Sequence, residues 1–394
     1  MGGTPAGPSR RRVWAALLLI GLGLHTVVGL ARPMGSYRAL ELGVSPGLLG
    51  VVGAAFAVLP VLVALPAGRR ADAGGGARVA GVGTVVAAVA ACWLPLVGGV
   101  PALLAALALL GLGHLLGLVG MQALIAQGGT GSSLDRSYGW FTMVVSAGQL
   151  CGPALAGVLA GTGGPAGTRL ALTGGAVVAV ATVLAVPLLR GSCSSAPVAA
   201  DRPPVVPVRL ILRSPGVGPA MVTSLGVLSA TDLLTVYLPA LGEERGWSPQ
   251  AVGALLSLRA AGAIVSRLGL GRMVHALGRE RLLGTSLVVS ALALGWLALS
   301  HPVGLAGVAI AVAGFALGIG QPLSMAVVAA RAPLGARATA LSIRLMAHRL
   351  GQVLVPAGAG VLAATAASTG VVVGAGVIVA VSALSLLPEP RRRR

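Results

Sequence analysis

The sequence predicts an all-α polytopic membrane protein, with twelve transmembrane helices in two pseudosymmetric six-helix bundles. Three observations lead there. Of the 394 residues, 56% are hydrophobic and 9% charged, and the mean hydropathy is +0.94. A soluble domain carries about 25% charged residues, and only bilayer lipid solvates this much apolar surface. The arginines fall mostly in alternate loops. The second half of the chain repeats the first at a fixed offset of 203 residues. Ordinary cytosolic enzymes, disordered chains and fibres are excluded by the first observation alone.

The expected spans are 13–36, 46–67, 77–98, 101–126, 138–162, 168–190, 216–240, 250–270, 281–300, 303–330, 339–366 and 368–388. Span 1 follows Arg10, Arg11 and Arg12. Its apolar run from Val13 to Leu30 is too long for a secretory leader and lacks an Ala-x-Ala cleavage site, so it reads as retained. Trp14, Trp93, Tyr138, Trp140, Tyr237, Trp247 and Trp296 lie near span ends, as interfacial aromatics do. Gly and Ala dominate within the spans and allow close helix approach, as at Gly157 and Gly161.

The formal net charge of +19 would suit nucleic acid, but position points to the membrane instead. Every basic residue is Arg; Lys and Asn are absent. Arg69, Arg70, Arg78, Arg136, Arg190, Arg202, Arg209, Arg213, Arg272, Arg279, Arg281, Arg331 and Arg337 share one set of loops with both basic termini. The opposite loops hold only Arg38, Arg169 and Arg245. Both termini are therefore expected on the cytoplasmic side of the inner membrane. Cys92, Cys151 and Cys193 form no CxxC and no metal spacing, and the two within spans read as small packing residues. No metal and no cofactor is expected.

Residues 191–215 are a Pro- and Ser-rich cytoplasmic linker. They divide the chain into an N-terminal bundle, 1–190, and a C-terminal bundle, 216–394. In the repeat, Glu41, Gly43, Ser45, Pro46 and Gly50 match Glu244, Gly246, Ser248, Pro249 and Gly253. Gly111 and Gly117 match Gly314 and Gly320, while Gly148, Gln149, Pro153 and Gly157 match Gly351, Gln352, Pro356 and Gly360. Two parallel six-span repeats are the architecture of a secondary transporter. No P-loop of the form GxxxxGK[ST] is present.

The loop after span 2 reads Gly68-Arg69-Arg70-Ala71-Asp72-Ala73-Gly74-Gly75-Gly76-Ala77-Arg78. It resembles the GxxxDRxGRR loop of the major facilitator superfamily, with Ala73 in place of the Arg after Asp. Its second copy keeps Gly271, Arg272, Gly278 and Arg279 and has His275 where Asp would stand. The resemblance implies that Asp72 helps lock a cytoplasmic gate, with Arg337 or Arg344 as the partner. The other reading is that these loops cap helices and set topology. In span 5, Gly148, Gln149, Gly152, Pro153 and Gly157 are similar to the GxxxGPxxGG motif of that family's drug:proton antiporters. The likeness implies efflux. Span 4 has His114 in Gly111-Leu-Gly-His-Leu-Leu-Gly117 and lacks those antiporters' Arg.

Ionisable groups inside a membrane are expensive and point to function. The candidates are His25, Arg32, His114, Asp232, Arg259, Arg344, His348 and Arg349, with Arg267 at the gate. Asp232 is the one acid placed within a span. It lies roughly 12 Å, and Arg259 roughly 13 Å, from the outer ends of their spans. Matched depth makes Arg259 its expected partner, either as a coupling switch or as a permanent ion pair. Arg344 and His348 share a face, while Arg349 points about 100° away from His348 and is assigned to the cavity. His25 and His114 are read as hydrogen-bonded packing groups or proton carriers. Gln321 either meets substrate or satisfies backbone freed by Pro322. Together these features and the resemblance imply a monomeric secondary active transporter working by alternating access. The expected cargo is a small organic molecule, exported against protons. The alternatives are proton-linked uptake of an organic anion and a non-transporting membrane sensor.

Overall fold

In the computed structural model, residues 8–127, 132–189, 208–214, 217–331 and 337–385 are described. All regular structure among them is helical: α1 (Pro8–Glu41), α2 (Leu49–Arg70), α3 (Gly76–Trp93), α4 (Val100–Gln127), α5 (Ser132–Ala160) and α6 (Gly164–Val183). After the short α7 (Val208–Arg213) come α8 (Val217–Glu244), α9 (Pro249–Leu277), α10 (Arg279–Leu299), α11 (Val303–Arg331) and α12 (Arg337–Leu384).

Eleven described stretches are long and apolar enough to cross a membrane; the last, Met346–Leu384, runs 39 residues. At 1.5 Å per residue that is about 58 Å, twice a bilayer's hydrocarbon core. The helix is broken at Ala366 and Ala367, the latter at φ 54°. It therefore contains two crossings, and the twelve-span reading holds. Large apolar side chains stand exposed along the outer faces, among them Leu62 at 69% and Leu299 at 79%. A soluble fold would bury such a belt, and lipid solvates it here. Cys92 and Cys151 are also exposed, which corrects their expected packing role: they sit on outer helix faces. Tyr237 is fully buried, and Trp247 is 8% exposed with its ring N–H donated to the His301 carbonyl. These two aromatics are covered by protein rather than turned to lipid.

By contacts the chain forms two units. Unit 1 comprises residues 1–44, 54–200 and 248–257; unit 2 comprises 45–53, 201–247 and 258–394. This division differs from a cut at the linker by two segments, the starts of α2 and α9. Glycine explains both. Inside unit 2, a Cβ on Gly50 would overlap the Pro356 carbonyl, and one on Gly360 would overlap that of Gly47. Inside unit 1, a Cβ on Gly253 would lie 2.5 Å from the Pro153 carbonyl oxygen, and one on Gly157 3.0 Å from that of Gln250. These pairs are the same four repeat positions used twice. Such crossings need bare backbone on both sides.

The repeat extends to the helix ends. α1 and α8 end in matching Schellman caps, with Gly43 at φ 81° and Gly246 at φ 68°. The Val44 N–H bonds to the Ala39 carbonyl and the Trp247 N–H to that of Gly242. Only glycine enters this left-handed region without strain. Two of the arginines on the Arg-poor side have structural partners here. Arg38 donates to the Val97 carbonyl at 2.8 Å and pairs with Glu41 at 3.0 Å. Arg245 donates to the carbonyls of Leu297 (2.9 Å), Ala298 (2.6 Å) and Ser300. Each closes the end of a following helical hairpin, where unmet carbonyls and the helix dipole attract a cation. Burial pulls the Arg245 guanidinium below the usual arginine value, and neighbouring Glu244 opposes that shift. Glu244 also accepts from the Ser368 N–H (3.0 Å) and hydroxyl (2.7 Å), capping the second limb of α12.

Candidate functional site

Unit 2 brings buried charge together between α8 and α12. Asp232 sits on α8, whose spanning window is 78% buried, the most enclosed of the membrane helices. Gly351 lets α12 approach closely: a Cβ there would lie 2.4 Å from Leu225. Three residues separate Arg349 from Gln352, so both lie on one face of α12. The Gln352 amide nitrogen donates to Asp232 Oδ2 at 3.0 Å, and its oxygen accepts from Arg349 Nη1 at 2.9 Å. All three are buried, at 6% exposure for Asp232, 5% for Arg349 and 7% for Gln352. The amide thus relays between a carboxylate and a guanidinium. Its orientation follows from the charges, because a carboxylate only accepts and a guanidinium only donates.

Depth points from Asp232 to Arg259; to that expectation α12 adds the relay through Gln352 to Arg349. Gln352 is the residue that span-by-span reading of charges passes over. Its signal was its place in the repeat, opposite Gln149, as an uncharged amide in an apolar helix. Arg259 is half-buried on α9, where a Cβ on Gly314 would meet its backbone at 2.3 Å. The repeat mate of this crossing is Gly111 against the Phe56 backbone in unit 1.

Other candidates in unit 2 take distinct places. Arg267 donates to the Gln321 side-chain oxygen at 2.7 Å, which ties α9 to α11 and occupies that amide. Arg344 is buried at 8% exposure, and among the described residues its Nε and Nη2 have no hydrogen-bond partner. His348 is half-buried. Arg344 and Arg349 are both buried on α12, and Arg349 is the one joined to Asp232 through Gln352.

Unit 1 collects a second cluster. The Nε2 atoms of His25 and His114 stand 3.3 Å apart, with ring centroids 4.8 Å apart at 77°. His25 Nδ1 lies 2.8 Å from the Gly21 carbonyl one turn back. Phe56 packs on His114 at 5.8 Å between centroids, and the Arg32 guanidinium lies 5.0 Å over the Phe56 ring. Three candidates scattered over 90 residues are thus neighbours, with Phe56 joining them.

The span 5 motif packs α5 on α1: a Cβ at Gly148 would lie 2.7 Å from His25 Cβ, and one at Gly152 2.5 Å from the Thr26 carbonyl. Gln149 lies on the same helix. In the loop after α2, residues Ala71–Gly75 form a kink, with Ala73 and Gly74 outside helical geometry and Gly74 at φ 86°. Arg70, Ala73, Gly74, Gly75 and Arg78 line a cavity of about 280 Å³ there. Arg69, Arg70 and Arg78 are exposed, as are Gly271, Arg272, His275, Gly278 and Arg279 in the second copy. The copies differ in detail, since the left-handed residue of the second is Gly278, at φ 76°. The Asp72 side chain and Arg337 lie outside the described side chains, and most of the linker lies outside the described residues.

Two bundle repeats of membrane-crossing helices, each with ionisable side chains enclosed among its spans, have the build of a polytopic α-helical transporter. The chain belongs to the Major Facilitator Superfamily, whose model matches residues 14–248 and 220–394. Solved structures of similar fold include a variant of the nucleoside transporter NupG, at TM-score 0.80 and 14% identity over 95% of this chain and 100% of that one. A bacterial homolog of the human lysosomal transporter Spinster, inward-facing and occupied, superposes at TM-score 0.78 and 16% identity, covering 97% of each chain. The human organic anion transporter MFSD10 (TETRAN) gives TM-score 0.67 and 17% identity over 97% of this chain and 100% of that one. At these identities the likeness is one of fold. No curated protein sequence matches this chain.

Proposed function

We propose that the protein is a proton-coupled exporter of small organic molecules, acting as a monomer in the inner membrane with both termini cytoplasmic. The observation behind the coupling is the buried relay Arg349–Gln352–Asp232. A carboxylate held away from water changes its bonding sharply when it takes a proton. Protonated Asp232 offers Gln352 a weaker acceptor, and Arg349 then lacks a carboxylate at the far end of the relay. Alternating access needs such a switch: proton on one side, substrate on the other. The direction rests on the likeness of Gly148, Gln149, Gly152, Pro153 and Gly157 to the antiporter motif. Asp72 is assigned to the gate on the same footing.

A second reading, proton-linked uptake of an organic anion, is favoured by Arg344. Two of its buried nitrogens lack partners among the described residues, and a carboxylate or phosphate would satisfy them.

Inverted, energised vesicles holding a pH-gradient dye separate the two. Organic anions, cations and neutral drugs are added in turn. Proton release driven by one class, and lost in Asp232→Asn with insertion intact, is the expected result. Coupled release that survives Asp232→Asn removes Asp232 from the mechanism. Accumulation of labelled anion in whole cells under an inward proton gradient would replace export by uptake.

A further inference from the structure

We propose that His25 and His114 form a one-proton site in unit 1, sharing a single proton between their Nε2 atoms, and that this site sets a pH dependence of transport. The second clause rests on the proton-coupled reading above; the first does not.

The bonding pattern limits what the pair can hold. The Gly21 carbonyl only accepts, so His25 Nδ1, 2.8 Å away, carries a hydrogen. In the neutral pair His25 Nε2 therefore presents its lone pair, and His114 Nε2 donates to it across 3.3 Å. One added proton enters at His114 Nδ1, the remaining lone pair of the neutral pair, and preserves this bond, because the hydrogen between the Nε2 atoms is then shared and an imidazolium on either ring still donates to the other ring's lone pair. A second would set two N–H groups and two positive charges head to head at the same distance. The bond would be lost and repulsion gained, so the two rings titrate as one group.

The surroundings hold the pair between neutral and singly charged. α1 itself brings Arg32, fixed over Phe56, whose ring also packs on His114. α4 carries no charged residue besides His114. The other charges of the packed elements lie away from the pair or on exposed ends. Arg69 and Arg70 end α2 and Arg78 lies in the first turn of α3, all exposed, and Arg169 lies near the start of α6. Asp135 and Arg136 open α5, thirteen and twelve residues before Gly148. Glu41 pairs with Arg38 at the far end of α1. Arg32 thus disfavours a second proton.

Position links the pair to motion. Gly148 of the span 5 motif lets α5 cross α1 at His25 itself, with a Cβ there only 2.7 Å from His25 Cβ. The charge therefore changes where these two helices cross in close contact.

The test uses the full-length protein in lipid nanodiscs with ¹⁵N-labelled histidine, titrated without substrate from acid to alkaline pH. The chain has five histidines, so His25→Gln and His114→Gln assign the signals. The expected result is that both rings move together through one step with one proton taken up, and that the ring left in either variant titrates at a different midpoint. Two separate steps, both ending in imidazolium, would overturn the shared site, as would no uptake by either ring. The transport clause is read in the vesicle assay: His114→Gln is expected to move the pH midpoint of substrate-driven flux, and an unmoved midpoint would overturn it. Failure of the export reading is separate, since the titration needs neither substrate nor flux.

Discussion

Replacing Gln352 by Leu keeps nearly the same volume, so the loss is polar rather than steric. Two hydrogen bonds disappear, one to a carboxylate at 3.0 Å and one from a guanidinium at 2.9 Å. Bonds to charged groups are worth about 1.5–3 kcal/mol each, which sets a gross loss of about 3–6 kcal/mol. Asp232 and Arg349 remain buried and keep their other interactions, so part is recovered. The expected net destabilisation is about 2–4 kcal/mol, measured by reversible denaturation in mixed micelles at neutral pH. A double-mutant cycle isolates the charge: in an Asp232→Asn background the acceptor is neutral, and Gln352→Leu should cost about 1–2 kcal/mol less. A loss under about 1 kcal/mol, or simple additivity in the cycle, would refute the relay as an energetic unit.

Three further outcomes follow from particular contacts. Gly50→Ala should destabilise by about 1–3 kcal/mol or prevent folding, because its Cβ would overlap the Pro356 carbonyl, whereas Gly98→Ala, with open space around it, should be near neutral; thermal melting in detergent compares them. Arg245→Met should lower the melting temperature by exposing the α10 carbonyls of Leu297 and Ala298, with a loss of about 1–3 kcal/mol, while leaving substrate affinity unchanged in an equilibrium binding assay. Asp72→Ala should slow turnover more than it weakens substrate binding, as read from rates and half-saturation in vesicles; unchanged turnover would leave the loop only its topological role.

Much of the architecture was legible because lipid imposes simple rules on sequence. Apolar runs of about 20 residues must be spans, and arginine placement orients them. The 203-residue repeat could be read residue by residue, and its glycines make the same crossings twice, Gly50 on Pro356 and Gly253 on Pro153. Of the ionisable groups singled out within spans, His25, His114, Asp232, Arg344 and Arg349 are enclosed. What could not be read was which of them meet. Depth along a helix is a one-dimensional coordinate. It suggests that Asp232 and Arg259 stand level, yet it does not say which faces turn toward each other. The rotation of α12 against α8 decided that Asp232 reaches Arg349 through Gln352, and the crossing of α1 and α4 decided that His25 bonds to His114. The same blindness to rotation left the exposed Cys92 expected among packing residues. Composition and spacing specify solvent, length and register, because these depend on single helices. Contacts between side chains from distant helices depend on how the bundle packs, and only the tertiary structure determines that.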